Sequence, residues 1–502
     1  MSPEKRATET PIAMTTEHSF DVVVVGCGIA GLSAAVTAHQ AGARVAVLER
    51  APREDRGGNS RWTEAYLRMK SESQVADDFE AHFGANAGHN LDPSLLKAVA
   101  GAWEDRPGIV KALGFTDPEL IGAFADGAGP ALAWLKSFGV KFDFLPNFFI
   151  TTCTTRMAPV GGGLAMVEAL ASWAEANSLP IFYETAAKEL LLSPEGAVTG
   201  IRARDGEGNP LRFAARSVVL ACGGFEGNPE MQARYFGGHA RYIRPVARGG
   251  YYNKGDGHRM ALALGAAPSG DWSLFHAEPI DPRSGQPEPV VMVFSYGILV
   301  NRDGQRFTDE APATVDATYE AITRQIFAQA GGLAWVILDG RIDEVPNWRK
   351  AIRSDQPAVE AGSLAELADK IGVDADRLAA TVAAYNAACP RGGTFDPLAT
   401  DGLATSGLAP RKSNWARPLD RAPFRAWPIA CANCFTFGGV KVDVHARVLD
   451  GDGLPIPGLY AGGELIGLYY GTYTGATSVL RGTVFGRAAG AHAARRAKEN
   501  LR

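Results

Sequence analysis

Residues 20–50 read FDVVVVGCGIAGLSAAVTAHQAGARVAVLER. The β-branched run Val22–Val25 is typical of a strand that is buried on both faces of a parallel sheet. It leads into Gly26–Gly31, which has the spacing G-x-G-x-x-G, and a helix of small residues follows as far as Gln40. A second strand ends at Glu49, about twenty residues after the glycine turn. This order of strand, turn, helix and strand predicts a Rossmann-like unit that binds a dinucleotide.

Each residue of this unit has an expected task. Gly26 permits the tight turn, Gly28 lets the backbone approach a pyrophosphate, and Gly31 lets the helix pack against the strand. The helix N-terminus offers unpaired N–H groups to the phosphates. Glu49 is expected to accept hydrogen bonds from a ribose, whereas the neighbouring Arg50 leaves a 2′-phosphate, and therefore NADP, as an alternative.

Later glycine-rich loops favour FAD over a nicotinamide dinucleotide. Gly57–Ser60 follows the second strand, another such loop follows the buried strand 217–221, and Gly462–Glu464 precedes the last helix. A cofactor as long as FAD needs contacts from several strands, and these loops provide them. The residues expected to contact FAD are Gly26, Gly28, Ile29, Ala30, Gly31, Glu49, Arg50, Gly58, Asn59, Ser60, Gly162, Gly163, Ala187, Ala221, Cys222, Gly223, Asp256, Gly463, Glu464, Ser478 and Val479.

Changes of composition divide the 502 residues into segments. Residues 1–19 are polar and predict a disordered extension. Residues 20–271 and 428–502 carry the buried strands and glycine loops, whereas residues 272–427 are rich in proline, charge and amphipathic helices. The sequence therefore predicts an α/β protein in which a Rossmann-like FAD-binding domain, built on a parallel sheet, contains an inserted α+β capping domain.

Composition excludes several other classes of protein. The net charge of −5 gives no electrostatic basis for binding nucleic acid. Cys431 and Cys434 form a C-x-x-C, but no second pair completes a zinc site, so no metal is predicted. No apolar run reaches the ~18 residues of a membrane span, and the polar N-terminus lacks the apolar core of a signal peptide. We therefore expect a cytoplasmic protein.

These motifs together resemble the flavoprotein family of fumarate reductase, succinate dehydrogenase, 3-ketosteroid dehydrogenases and tricarballylate dehydrogenase. The likeness extends from Asp21 to Arg496. It implies an FAD enzyme that transfers hydride between flavin N5 and a C–C or C=C bond beside a carboxylate or carbonyl, under a capping domain. The segments that carry the likeness are Gly26–Gly31 with Glu49, Gly57–Ser60, Ser217–Phe225, Asn253–Gly257, Gly297–Phe307, Gly438–Gly439 and Gly458–Glu464.

The catalytic set of the fumarate reductases is not matched. Thr314 stands where the resemblance would place the general-acid arginine, and Val290 and Val293 stand where it would place the proton relay. Cys434–Phe435 replaces the substrate-binding histidine, and Tyr473 replaces the second carboxylate-binding arginine. Fumarate reduction by that mechanism is therefore not expected.

Two other branches of the family are more similar. Asp271–Ala277 and Tyr469–Gly482 are similar to motifs of tricarballylate dehydrogenase, which implies a small polycarboxylate as substrate. Tyr473 with Gly475 resembles a segment of the 3-ketosteroid dehydrogenases, which implies as an alternative a desaturase or ene-reductase of a more apolar ketone or acid. Asn59–Trp62 contains no histidine at the family's site of covalent attachment, so FAD is expected to be non-covalent.

Catalysis needs a group that handles the proton and donors that polarise the carbonyl oxygen. Arg248, His276, Tyr296 and Tyr473 are the predicted catalytic residues, with Tyr473 favoured because its loop precedes the flavin helix. Arg481 is expected to contact either the FAD pyrophosphate or the substrate. A flavin electron carrier without its own substrate is a further alternative, and a small-molecule enzyme can still have a separate electron-transfer partner.

Overall fold

The computed structural model describes residues 15–85, 92–144 and 157–499. The predicted parallel sheet forms from six strands: β2 (Val22–Val25), β3 (Val45–Leu48), β8 (Ile181–Phe182), β12 (Ser217–Leu220), β21 (Arg447–Leu449) and β22 (Pro455–Ala461). Their order is β21-β22-β12-β2-β3-β8, and all neighbours are parallel except β21 and β22. All four valines of β2 are buried, as a strand in the middle of such a sheet requires. The predicted α/β fold is confirmed.

A second sheet contains a strand that the sequence did not predict. Its members are β1 (Thr16–Ser19), β9 (Ala186–Leu192), β10 (Val198–Arg204) and β11 (Pro210–Ala214), in the order β1-β11-β10-β9. The expectation of disorder was therefore wrong for residues 16–19, because β11 offers them a parallel edge for backbone pairing. Residues 1–14 lie outside the described residues.

The capping domain is built around one long strand. Its sheet contains β13 (Arg244–Pro245), β15 (Phe275–Ile280), β16 (Ile298–Val300), β17 (Leu333–Leu338), β18 (Val359–Ala361) and β19 (Phe424–Thr436). β19 pairs with β13, β15, β17 and β18. The expected boundaries at residues 272 and 427 therefore do not match the sheet, since β13 precedes the first and β19 runs through the second. The remaining strands pair two by two: β4 (Met69–Ser71) with β5 (Gln74–Val75), β6 (Phe142–Phe144) with β7 (Met157–Pro159), and β14 (Pro268–Ser269) with β20 (Gly439–Val440).

The helices cover both domains. They are α1 (Ile29–Gln40), α2 (Phe79–Ala85), α3 (Leu96–Val99), α4 (Gly108–Ala112), α5 (Pro118–Lys136), α6 (Gly162–Ala176), α7 (Pro229–Phe236), α8 (Asp256–Ala263), α9 (Val315–Phe327), α10 (Leu364–Ile371), α11 (Ala375–Ala388) and α12 (Ser478–Glu499). The small residues of α1 let it pack closely against α12, which brings the C-terminal helix back to the dinucleotide turn. Within the described ranges, no helix is both long and apolar enough to cross a bilayer.

Candidate active site

In the glycine turn between β2 and α1, two glycines are closely packed by backbone atoms and a third leaves open space at the wall of a cavity. Gly26 has φ +107°, and a Cβ there would lie 2.3 Å from the carbonyl oxygen of Ala221. A Cβ at Gly31 would lie 1.9 Å from the carbonyl oxygen of Gly26. A Cβ at Gly28, in contrast, would meet no described atom closer than 3.5 Å. Gly26 and Gly31 are therefore required by packing, whereas Gly28 leaves room for a ligand beside the start of α1.

Two side chains hold the backbone around this turn. The buried carboxylate of Glu49 accepts hydrogen bonds from the N–H groups of Cys27 and Ala51, both at 2.7 Å. Burial raises the pKa of Glu49, and these two backbone donors oppose that shift. The hydroxyl of Ser60 accepts a hydrogen bond from the N–H of Ile29 at 3.2 Å, so the 57–60 loop is attached to the first turn of α1.

A pair of carboxylates, the buried Glu226 and the partly buried Glu464, connects three of the glycine-rich loops. Glu226 accepts hydrogen bonds from the side-chain amides of Asn59 (2.8 Å) and Asn253 (3.0 Å). Glu464 accepts from the N–H of Thr436 at 2.6 Å. Burial raises the pKa of both glutamates, and repulsion by Glu464 raises that of Glu226 further. The pair fixes the loops to each other where the two domains meet.

A cavity of 660 Å³ begins at the glycine turn and ends under the capping domain. At its first end, the fit to a dinucleotide rests on the open wall at Gly28 and the N-terminus of α1. The predicted cofactor residues that line the cavity are Gly26, Gly28, Ile29, Ala30, Glu49, Arg50, Gly58, Asn59, Ser60, Ala187, Ala221, Cys222, Gly223, Asp256, Gly463, Glu464, Ser478 and Val479. Arg50 is paired there with Asp256.

Three predicted cofactor residues, Gly31, Gly162 and Gly163, lie behind the wall of the cavity. Gly163 donates its N–H to the carbonyl of Thr63 at 2.9 Å, and a Cβ at this position would lie 1.8 Å from the carbonyl oxygen of Ser60. These glycines permit close contact between elements and do not face the cavity.

The other end of the cavity, the cap end, is polar, and most of the side chains that line it belong to the capping domain. On β15, His276 and Glu278 face it, and the ring of His276 is hydrogen-bonded through Nε2 to the hydroxyl of Tyr319 at 2.7 Å. Burial lowers the pKa of His276 to about 3, so the imidazole is neutral at physiological pH. A neutral imidazole has one ring nitrogen left as an acceptor or a ligand.

Arg353 lies between two glutamates at this end. Its guanidinium contacts Glu64 at 2.6 Å and Glu288 at 3.0 Å. Burial raises the pKa of Glu288 to about 8, repulsion by Glu278 adds to the shift, and Arg353 opposes it. Arg353 is therefore surrounded by three acidic side chains, Glu64, Glu278 and Glu288.

Tyr473 lines the cavity, but its hydroxyl is used within the protein. It accepts hydrogen bonds from the N–H groups of Thr477 and Ser478, both at 3.0 Å, and lies 3.2 Å from Ser478 Oγ. A phenol oxygen has two acceptor positions and one proton, so these contacts fill its capacity. The predicted contact with a substrate oxygen is therefore not available in this arrangement.

Two predicted catalytic residues lie away from the cavity. The side chain of Arg248 is 65% exposed and pairs with Asp55 at 2.8 Å. Tyr296 is buried in the core of the capping domain, where its hydroxyl donates to the carbonyl of Pro397 at 2.9 Å. Both predictions were wrong in placement, because a position near a motif in sequence does not determine the direction of the side chain. Arg481 does line the cavity, and its guanidinium lies 4.7 Å from the ring centroid of Tyr469.

Comparison with known proteins agrees with this geometry. A family model described as an FAD binding domain matches residues 21–480. The chain belongs to this FAD-binding family. It is 30% identical to a urocanate reductase of Eggerthella lenta, over 98% of this chain and 77% of that protein. The resemblance to the fumarate reductase and succinate dehydrogenase flavoproteins is thus confirmed, and the chain is an FAD-dependent oxidoreductase.

Solved structures share the fold. A flavocytochrome c3 fumarate reductase has a TM-score of 0.72 at 24% identity, over 96% of this chain and 79% of that one. A 3-ketosteroid Δ4-(5α)-dehydrogenase from Rhodococcus jostii has a TM-score of 0.64 at 26% identity, over 97% of this chain and 98% of that one.

Sequence reasoning missed most of the polar groups at the cap end of this flavoprotein. Glu278 could have been found, because it lies two positions after His276 and alternate residues of a strand share a face. No sequence pattern could have identified Arg353, because it follows a short 3-10 helix and lines the cavity only as a result of how the capping domain folds. Tyr319 lies on the buried face of α9, where a packing role was equally consistent with the sequence.

Proposed function

We propose that this flavoprotein dehydrogenates a C–C bond, or reduces the matching C=C bond, next to a carbonyl or carboxylate of a small molecule. The observation that supports the proposal is the cavity that joins the cofactor residues to the polar end under the capping domain. When bound, FAD supplies the position that accepts or gives hydride. The protein has to orient the substrate, exclude water and provide for the proton at the neighbouring carbon.

The cap end offers two donors to a substrate oxygen. The hydroxyl of Tyr319 and the guanidinium of Arg353 both line it. Donors aimed at a carbonyl or carboxylate oxygen stabilise the enolate-like charge that develops when the neighbouring C–H bond breaks. Arg353 is already held by Glu64 and Glu288, so its position is fixed before substrate arrives.

Charge at this end favours a substrate with no more than one carboxylate. Arg353 is already paired with Glu64 and Glu288, so its guanidinium is not free to offset the three negative charges that a tricarboxylate would bring. The small polycarboxylate implied by the motifs similar to tricarballylate dehydrogenase is therefore the alternative. Apolar lining residues, Val290, Met292 and Phe435, suit the body of a ketone or a more apolar acid.

A flavin electron carrier is less well supported, because such a protein has no need for a cavity that extends past the cofactor residues. The flavin must nevertheless exchange electrons with a second reactant, and a separate electron-transfer partner fits that need. FAD is proposed to be non-covalent, since the loop residues Asn59, Ser60, Arg61 and Trp62 include no histidine.

Anaerobic rapid mixing of the holoenzyme tests the proposal. The probes are 3-phenylpropanoate and 4-oxocyclohexanecarboxylate, with succinate and tricarballylate as polycarboxylates. We expect bleaching of the flavin by a monocarboxylate or ketone. Fastest bleaching by tricarballylate would select the polycarboxylate alternative. The proposal would be contradicted if none of these compounds bleached the flavin and none of their unsaturated counterparts reoxidised the reduced flavin. Acid precipitation should leave the flavin in the supernatant.

A matched pair of variants tests the cap end. Arg353→Met removes a donor at the cavity and should slow flavin bleaching at least tenfold through loss of a charge-assisted hydrogen bond. Arg349→Met removes an arginine whose side chain is 72% exposed, from the same segment, and should have no effect. Equal rates for the two variants would show that Arg353 does not contact substrate.

A further inference from the structure

Three side chains with different ligand atoms converge on one wall of the cavity. An imidazole nitrogen of His276, a carboxylate oxygen of Glu278 and the sulfur of Cys434 all lie within 4.8 Å of one another. The wall belongs to the cap end, where all three residues line the cavity. Neither the FAD-binding geometry nor the proposed hydride transfer requires a thiol or a second carboxylate at this place.

A β-bulge brings the three together. In the pairing of β15 with β19, His276 is opposite Phe435 and Ala277 is opposite Asn433, so Cys434 is an extra residue between them. Such a bulge redirects a side chain, and bulges are frequent beside active sites. His276 and Glu278 are two residues apart on β15 and therefore share a face. The position of the cluster is therefore set by the backbone of the two strands and does not depend on a chance contact between long side chains.

The hydrogen bonds of His276 leave one nitrogen free. Nε2 is bonded to the hydroxyl of Tyr319 at 2.7 Å, and Nδ1 is buried with no partner among the described residues. The residue is only 6% exposed, so the orphaned nitrogen is not satisfied by bulk solvent. Histidines that bind metals are oriented in this way, with the second ring nitrogen bonded to a neighbouring group that fixes the tautomer.

Glu278 is hydrogen-bonded to the thiol of Cys434, but one of its carboxylate oxygens lacks a partner. Its Oε2 is buried and makes no hydrogen bond to any described residue. A buried polar atom without a partner costs free energy, which a bound ligand would recover. Two orphaned atoms on neighbouring side chains, both beside a thiol, therefore indicate a ligand that accepts electron pairs.

The geometry points to a divalent ion of the zinc class, Zn²⁺, bound by His276, Glu278 and Cys434. Sulfur, imidazole nitrogen and carboxylate oxygen are the donors that Zn²⁺ takes in proteins, and three protein ligands leave a fourth position open. Bonds of about 2.0–2.3 Å place tetrahedral ligand atoms roughly 3.3–3.8 Å apart, so side-chain rotations that close about 1 Å complete the site.

Charge also matches a dication. The thiolate of Cys434 and the carboxylate of Glu278 carry two negative charges, and His276 is a neutral ligand. Binding releases the thiol proton to solvent and forms the zinc–sulfur bond, with no oxidation or reduction. The open position faces the cavity, where the ion would polarise a carbonyl or carboxylate oxygen. This last role rests on the proposed function, whereas the binding of the ion does not.

Zinc binding is measured on the FAD-loaded protein without substrate. The protein is stripped with a chelator and titrated with Zn²⁺ against a chromophoric competitor, and the metal is counted per flavin. We expect one tightly bound Zn²⁺. Co²⁺ in its place should give a sulfur-to-metal charge-transfer band and ligand-field bands beyond the flavin absorption. Absence of stoichiometric binding in the wild-type protein would overturn the site.

Variants identify the ligands. Cys434→Ser and His276→Asn should each weaken Zn²⁺ binding at least a hundredfold, with FAD content unchanged. Cys431→Ala is the control, because Cys431 is buried on the same strand but lies outside the cluster. Unchanged affinity in both Cys434→Ser and His276→Asn would contradict the assignment even if one ion binds. If zinc binds as expected but its removal leaves substrate-dependent flavin bleaching unchanged, the site stands and its catalytic role is wrong.

Discussion

The hydroxyl oxygen of Tyr473 accepts a hydrogen bond from the backbone N–H of Ser478 at 3.0 Å, at the first residue of α12. It accepts a second from the N–H of Thr477, also at 3.0 Å. The first N–H groups of a helix have no partner within the helix, and a side-chain oxygen that accepts from them stabilises the helix start. Tyr473 thus caps the helix whose beginning lines the cavity.

Tyr473→Phe should therefore reduce stability. Deletion of the hydroxyl leaves the N–H groups of the buried Thr477 and the partly buried Ser478 without this partner, and we expect the free energy of unfolding to fall by about 1–2 kcal/mol. Denaturant titration of the FAD-loaded protein measures this. Tyr251→Phe is the control, because Tyr251 is 52% exposed and should tolerate the change. A Phe variant that keeps wild-type stability but bleaches a hundredfold more slowly would show that the hydroxyl acts on substrate.

The cofactor end could be predicted from the sequence because each of its loops is a short glycine-rich motif that is contiguous in the chain. In the turn Gly26–Gly31, a side chain at Gly26 would meet Ala221 and one at Gly31 would meet the carbonyl of Gly26, so glycine is required at both positions and the spacing identifies the turn. The cap end could not be predicted in the same way. It combines Glu64, Tyr319 and Arg353 from separate segments, and their meeting depends on how the cap packs. Arg248 shows the opposite error, since its neighbour Ala247 lines the cavity while its own side chain points to solvent.

The placement of Arg248 leads to a negative prediction. Arg248→Ala removes the ion pair between an exposed guanidinium and the buried carboxylate of Asp55, which keeps the hydrogen bond that it accepts from the Tyr252 hydroxyl at 2.8 Å. Flavin content should stay at the wild-type level, and the rate of substrate-dependent bleaching should change less than twofold. Anaerobic stopped-flow measurement decides this. A tenfold slower rate would restore Arg248 as a residue that reaches the substrate.

Lys412 gives the protein a stability that depends on pH. Its side chain is fully buried, donates to the carbonyls of Ser295 (2.7 Å) and Gly297 (2.9 Å), and lies 3.9 Å from Glu310. Burial lowers the pKa of Lys412 to about 8, against about 10.4 in an unfolded chain. Between about pH 8 and about pH 10.4, Lys412 is protonated in the unfolded state but mostly neutral in the folded state, so the free energy of unfolding rises with pH. Below about pH 8 both states are protonated, and this group gives no pH dependence.

Lys412→Met should remove this dependence. Its ionic partner Glu310 keeps a salt bridge to Arg306 at 2.7 Å, so the carboxylate stays paired. From about pH 8 to about pH 10, the wild-type protein should gain up to about 3 kcal/mol of unfolding free energy relative to the variant. Urea titrations at several pH values give the difference, and Lys370→Met, on an exposed helix face, is the control. Parallel profiles for wild type and Lys412→Met would contradict the prediction.

Variants of two glycines in the same turn should have different effects, one on FAD binding and the other on the stability of the fold. Gly28 has φ −73°, which valine adopts without strain, and a Cβ there meets no described atom closer than 3.5 Å. Gly28→Val should therefore leave the stability of the FAD-free protein nearly unchanged, while its branched side chain blocks the approach of the pyrophosphate. We expect a colourless protein with an FAD affinity at least a hundredfold lower, measured by flavin fluorescence during reconstitution.

Gly26→Ala should, in contrast, lower the stability of the FAD-free protein. Gly26 has φ +107°, and its Cβ would lie 2.3 Å from the carbonyl oxygen of Ala221, so the strands β2 and β12 must separate to admit it. The FAD-free variant should unfold at lower denaturant concentration than the FAD-free wild type, by about 2 kcal/mol or more. The two variants lie in the same turn, so loss of FAD affinity in Gly28→Val and loss of stability in Gly26→Ala would separate the role of each glycine. Retention of full FAD affinity by Gly28→Val would mean that the pyrophosphate does not approach the backbone at that residue.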